Sequence, residues 1–198
     1  MKFAPAAAVI AATMLVAAPA AAQNYSDGYT FLKAVKDRDG DKVTNLVTQP
    51  GSTVVNVSER TTGDRAVHIV TRDRDLTWLS FLIGKGARVD AQNNQGETPL
   101  TLASQLGWTE GAQLLLSQGA GVDLANGRGE TPLILAVQRR DVGMVRLLLA
   151  RGADRNRTDN VAGLSALDYA KRDARAAAVL RLLEAPPAKA RAVAGPKL

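Results

Sequence analysis

Two stretches of the chain carry the same order of apolar and polar positions, 33 residues apart. Leu100 and Ala103, then the run Leu114-Leu115-Leu116, return as Leu133 and Ala136 and then Leu147-Leu148-Leu149. Three-residue spacing in the first member predicts a short helix with a small apolar face, and the leucine run lies on a second helix. Polar, glycine-bearing segments separate these pairs. Asn94-Gln95-Gly96-Glu97-Thr98-Pro99-Leu100 recurs as Asn126-Gly127-Arg128-Gly129-Glu130-Thr131-Pro132-Leu133. Thr98 and Thr131 suit the N-cap of the first helix, with Pro99 and Pro132 at its first position, where a missing N–H costs nothing. Gly96 and Gly129 mark a tight turn ahead of each cap. Gly107 stands where the first helix should end, a place that Arg140 holds in the next copy. Gly119 and Gly152 would end the second helix in the left-handed conformation. The unit is turn, helix, loop, helix, and a period of this length predicts a stacked all-α solenoid.

These residues resemble the ankyrin repeat, whose pattern is Gly-x-Thr-Pro-Leu-His, a following Ala, and a Leu-Leu-x-x-Gly-Ala ending. Thr101 and Ile134 stand at the family's His, so the hydrogen bond that His makes near the helix start is not carried over. One period earlier, Gly63 falls at the turn, Arg65-Ala66-Val67-His68 at the tetrapeptide, and Phe81-Leu82-Ile83 with Gly86-Ala87 at the ending. One period later, Gly163-Leu164-Ser165-Ala166-Leu167-Asp168 with Ala170 fits after a one-residue insertion, and Leu182-Leu183 closes the unit. At the front, Phe31-Leu32-Lys33-Ala34 and Val43 to Leu46-Val47 read as another helix pair ending at Gly51-Ser52. The resemblance implies about five repeats with short β-turn fingers, over 25–57, 60–92, 93–125, 126–158 and 159–184.

It also implies a non-catalytic module that binds a protein partner through a concave face built of turn tips and the exposed side of each first helix. On this sequence that face takes Thr61, Thr62, Asp64, Arg72 and Asp73 from the second unit, and Asn94, Gln95, Glu97, Gln105 and Leu106 from the third. The fourth supplies Arg128, Glu130, Gln138 and Arg139, and the last Asn160, Arg172 and Asp173. The leading expectation is a monomer that supports or regulates an envelope or secreted protein. The alternative is a secreted effector acting on a host or competitor protein.

The ends read differently. Lys2, the apolar stretch from Ala6 to Ala18, and Ala20-Ala21-Ala22 before Gln23 form the pattern of a signal peptide over 1–22. Thr13 interrupts that stretch and Pro19 follows it, and it is short for a membrane span. The expectation is an exported bacterial protein, periplasmic or secreted, with no stable membrane insertion after cleavage and a repeat domain over 23–184. Residues 185–198 carry Pro, Ala, Gly and three cations without a periodic apolar face, which reads as a disordered, solvated tail.

Composition narrows the chemistry. The formal charge is +6, but Lys2, Lys189, Arg191 and Lys197 lie outside the repeats, whose own charges nearly balance. Runs such as Lys36-Asp37-Arg38-Asp39 and Arg72-Asp73-Arg74-Asp75 alternate in sign, a solubilising surface rather than a nucleic-acid footprint. There is no Cys, hence no disulfide or thiolate chemistry. The one histidine, His68, falls at the structural His of the repeat and cannot build a multi-His metal site. No catalytic, cofactor-binding or metal residues are expected. Trp78 lies within a second helix and reads as core. Trp108 follows Gly107 in the interhelix loop, where edge packing against the next repeat is favoured over an exposed binding anchor.

Overall fold

The computed structural model describes residues 20–185, with side chains from Asp27 onward. The expected signal peptide therefore lies outside the described residues up to Pro19, and the expected tail from Pro186 onward. Ten α-helices form five pairs: α1 (Ala20–Lys36) and α2 (Gly40–Val47), α3 (Ala66–Arg72) and α4 (Leu76–Gly84), α5 (Pro99–Leu106) and α6 (Thr109–Ser117), α7 (Pro132–Gln138) and α8 (Val142–Ala150), α9 (Ala166–Arg172) and α10 (Ala177–Glu184). A 3₁₀ turn, Val54–Asn56, follows the first pair, and another, Ala174–Ala176, leads into α10. The described residues hold no strand, only two isolated antiparallel bridges, Ser58 with Arg65 and Thr158 with Ser165. The fold is an all-α repeat solenoid.

Helices this short are marginal alone and draw their stability from stacking. The first helices α1, α3, α5, α7 and α9 pack in one row, each on the next, and α4, α6, α8 and α10 form a second row. Leu79, Leu82, Leu100, Leu115, Leu133, Leu148 and Leu183 are fully buried between the rows. The caps are local. Thr98 Oγ1 accepts from the Thr101 N–H at 3.1 Å, and Thr131 Oγ1 from Ile134 at 3.3 Å. Gly107 ends α5 at φ +71°, in the left-handed region.

Fingers join one repeat to the next through the backbone. The Asn94 N–H donates to the Thr62 carbonyl at 2.9 Å, Gly127 to Gln95 at 2.8 Å, and Asn160 to Arg128 at 2.9 Å. The third and fourth fingers are braced from within: Asn93 Oδ1 accepts from Gln95 and Glu97, and Asn126 Oδ1 from Arg128 and Glu130. The first pair departs from the scheme. Helix α1 runs for 17 residues, against seven or eight in the other first helices, so helix occupies the place of a first finger.

Candidate partner-binding surface

Finger tips and first-helix ends do not all reach solvent. Thr61, Thr62, Asn94, Gln95, Arg128 and Asn160 are exposed on the fingers, and Arg72, Asp73, Gln105, Gln138, Arg139 and Arg172 at the helix ends. Leu106 and Asp173 are half-buried. Asp64 and Glu130 correct the sequence reading: they are 6% and 5% exposed and serve as internal acceptors. Polar residues beside a turn suggest tips, but here the side chains fold back under the finger.

The acid of one finger, the amide of the next and the end of the first helix form a network. Asn93 Nδ2 donates to Asp64 Oδ1 and to Glu97 Oε2, both at 2.9 Å. Arg72 pairs with Asp64 and donates to Glu97 Oε2 at 3.0 Å. Burial alone would raise the Asp64 pKa, but the Asn93 and Arg72 bonds outweigh it and hold the carboxyl below the usual carboxylate range. Arg72 and Glu97 are thus committed to the join between repeats. Glu130 is held in the same way by Asn126 at 2.9 Å, with Gln138 and Arg128 each at 3.5 Å. Asp73 is taken by Arg38 at 2.9 Å, and Asp173 by Arg140 at 3.2 Å.

His68 lies fully buried under this network. Its Nδ1 accepts the Arg65 N–H at 3.1 Å, so Nε2 carries the proton and donates to the Glu97 carbonyl of the next repeat at 3.1 Å. Burial lowers its pKa, against the opposing pull of the Glu97 carbonyl and Asp64. The ring acts as a neutral cap and cross-repeat strut, and both nitrogens are used. Thr101 takes over the cap, its Oγ1 accepting the Thr98 N–H at 2.8 Å, and Asp168 does so for Ser165 at 3.1 Å. Ile134 offers no acceptor.

The side chains on this face that make no hydrogen bond or ion pair among the described residues are Thr61, Gln95, Gln105, Arg139, Asn160 and Arg172, with Arg128 held only by its long contact to Glu130. Hydrogen bonding and salt bridging at such positions can position a partner without any bond-making chemistry. Trp108 is 6% exposed and covers Gly111 of its own unit, so it offers no anchor. Trp78 is half-buried, edge-on to Phe81 at 5.9 Å.

Sequence reasoning missed a cleft of about 800 Å³ between α1 and the second finger, lined by Tyr29, Leu32, Lys33, Val57, Glu59 and Thr61, among others. Its signal lay in the register: the pattern before Phe31 holds no second Asn-x-Gly-x-Thr-Pro, hence no finger to fill the space. Tyr29 stands 72% exposed there.

Two family models match the chain. One, described as ankyrin repeats in three copies, covers residues 31–126; another, described as ankyrin repeats in many copies, covers 115–170.

Proposed function

Because the chain belongs to the ankyrin-repeat family, whose repeats are generic protein–protein interaction modules, we propose that it is an exported, non-catalytic binding protein. Its partner is an envelope or secreted protein, held on the concave face and supported or regulated by being bound. The observation that carries this reading is the division of labour on the finger and first-helix face. Asp64, Arg72, Glu97 and Glu130 are spent on internal bonds, whereas the side chains of Gln95, Gln105 and Arg139 stand exposed with no intramolecular hydrogen bond or ion pair among the described residues. The export half of the proposal rests on the residues before Gln23.

In-cell crosslinking tests the binding half. The native chain is compared with a variant in which Gln95, Gln105, Arg128 and Arg139 are all Ala; Arg72 stays, since its loss would strip Asp64 of a buried partner. One protein captured by the native chain and lost with the variant supports the reading. The same captures with both move the site to another face. Fractionation with N-terminal sequencing tests export: a chain starting at Gln23 outside the cytoplasm is expected, and an uncut cytoplasmic chain defeats that half.

A further inference from the structure

Arg72 and Arg172 occupy the same place, the last turn of a first helix, in α3 and α9. Their surroundings differ. Arg72 is closed between Asp64 of its own finger and Glu97 of the next. That acid position continues as Glu97 and Glu130 and then breaks, because Leu164 precedes the cap Ser165. Arg172 forms no salt bridge or hydrogen bond among the described residues, and the nearest acid in its helix, Asp168, is bonded to Ser165 at 2.6 Å. Arg139 likewise forms no salt bridge; its guanidinium lies over Gly107. Arg128 is 67% exposed with one 3.5 Å contact to Glu130.

Most of the remaining acids at this end are occupied: Asp141 Oδ1 caps α8 by accepting the Met144 N–H at 2.9 Å, with its other oxygen beside the Arg139 guanidinium over Gly107. Glu130 is buried on Asn126. Asp159 Oδ1 accepts three backbone N–H groups, from Val161, Ala162 and Gly163, and its Oδ2 accepts the Tyr169 hydroxyl at 2.6 Å. Asp173 is shared by Arg140 and Arg175. Thirteen of the chain's 25 Lys and Arg lie from Arg139 onward, against six of its 19 Asp and Glu, so no surplus of acid offsets these cations.

We infer that the fourth and fifth repeats receive an acidic segment of the protein partner, its Asp or Glu carboxylates meeting Arg128, Arg139 and Arg172. This rests on the binding function proposed above and specifies the chemistry of its partner. Guanidinium groups suit such carboxylates, since they bond to them in pairs and stay charged at every relevant pH. Three cations spaced among the neutral amides of Gln105, Gln138 and Asn160 fit separated carboxylates better than a continuous phosphate backbone. The second repeat, where Asp64, Arg72 and Asp73 are closed in ion pairs, would meet a less charged end of the same partner.

The test measures binding of the full chain to a fluorescent Glu/Asp-rich peptide of roughly a dozen residues, with an oligonucleotide of similar charge and vesicles rich in anionic lipid as comparisons. Raising salt from about 0.05 to 0.3 M should weaken peptide binding roughly tenfold by screening. Arg139→Glu with Arg172→Glu should weaken it by more than about tenfold. Arg146→Glu with Arg151→Glu, an equal charge change on and just after the second helix α8, should alter it less than about threefold. Equal losses in the two double variants, absent peptide binding, or tighter binding to oligonucleotide or vesicles would overturn the inference. A crosslinked partner that depends on Gln95 and Gln105 but ignores Arg139→Glu with Arg172→Glu would overturn it too, and leave the binding function standing.

Discussion

Arg140 turns the corner between α7 and α8 at φ +57°, and from that position donates to Asp173 of the next repeat at 3.2 Å. Arg38, at φ +60°, does the same toward Asp73 at 2.9 Å and lies 5.5 Å from the centre of the Trp78 ring. Arg74, at φ +54°, donates to the Leu106 carbonyl at 2.8 Å. One residue both reverses the chain and ties two repeats. In the third repeat Gly107 makes the turn with no side chain to tie, and Arg139 covers it from the repeat that follows.

Arg140→Gly sets the two jobs against each other. The left-handed backbone costs a non-glycine residue about 1 kcal/mol, and a partly exposed ion pair is worth about 0 to 1 kcal/mol. Relief of the first should offset loss of the second, leaving urea-unfolding stability within about 0.5 kcal/mol of the native chain. Arg140→Val keeps the strain, worsens it by β-branching and loses the pair, so it should be clearly destabilised. A loss above about 1.5 kcal/mol in Arg140→Gly would mean that the tie outweighs the strain.

Much of this architecture was legible because each repeat states it again. Thr98-Pro99 and Thr131-Pro132 announce caps, and Gly96 and Gly129 announce turns, through backbone preferences that act locally. The fate of polar side chains was not legible. Asp64 and Glu130 look like tip residues in sequence, yet their burial depends on Asn93 and Asn126, which reach them only once the finger has closed. Nor could residue types tell that Arg72 is spent in two ion pairs while Arg172 has none among the described residues, since that rests on Leu164 breaking a series of acids one repeat apart. The first pair was read without its distinctive feature, because the absence of a finger leaves no pattern to recognise.

Trp108 and Gly111 should be energetically coupled. In the flanking repeats Asp75 and Asp141 cap the second helix, accepting from Trp78 and Met144 at 3.0 and 2.9 Å. In the third repeat Trp108 replaces that Asp, no side chain caps α6, and Gly111 replaces the large residue; a methyl on Gly111 would lie inside the Trp108 ring. The ring thus fills the space that Trp78 and Met144 fill in their own units. Trp108→Asp alone should cost about 3 kcal/mol through the void it leaves, and Gly111→Met alone about 2 kcal/mol through overpacking. Combined, they rebuild the arrangement of the fourth repeat, so the double variant should recover at least about 2 kcal/mol over the sum of the singles. Additive losses in a double-mutant cycle would refute the substitution of ring for side chain.

Ser104 carries the one buried side-chain oxygen without a partner among the described residues. Its counterpart Thr71 bonds to the Val67 carbonyl at 2.6 Å, and Val137 stands at the same place in the fourth repeat. Ser104→Ala removes an unsatisfied hydroxyl from an apolar layer and improves helix propensity. It should leave the midpoint of thermal unfolding unchanged or raise stability by up to about 1 kcal/mol. A fall of more than about 1 kcal/mol would reveal a partner for the hydroxyl.

His68 should give the fold an acid-sensitive joint between the second and third repeats. Burial lowers its folded pKa below the ordinary value near 6.5, so the unfolded chain binds the proton first. The contribution is complete above that ordinary value and is lost as pH falls from there toward the folded pKa. Asp64, also lowered, adds its own loss only below its ordinary value near 3.9. The native chain should therefore lose stability between pH 7 and 5, before its carboxylates titrate. Protonation of His68 also turns Nδ1 from acceptor to donor against the Arg65 N–H, which opens the helix start. His68→Thr copies the cap of Thr101 and gives up the bond to the Glu97 carbonyl, costing about 2 kcal/mol at pH 7.5 from that bond and the lost ring volume. Its stability should then be nearly flat from pH 7 to 5. Urea unfolding of both chains across that range decides the matter: parallel slopes would show that another group carries the acid sensitivity, while a slope confined to the native chain assigns it to His68.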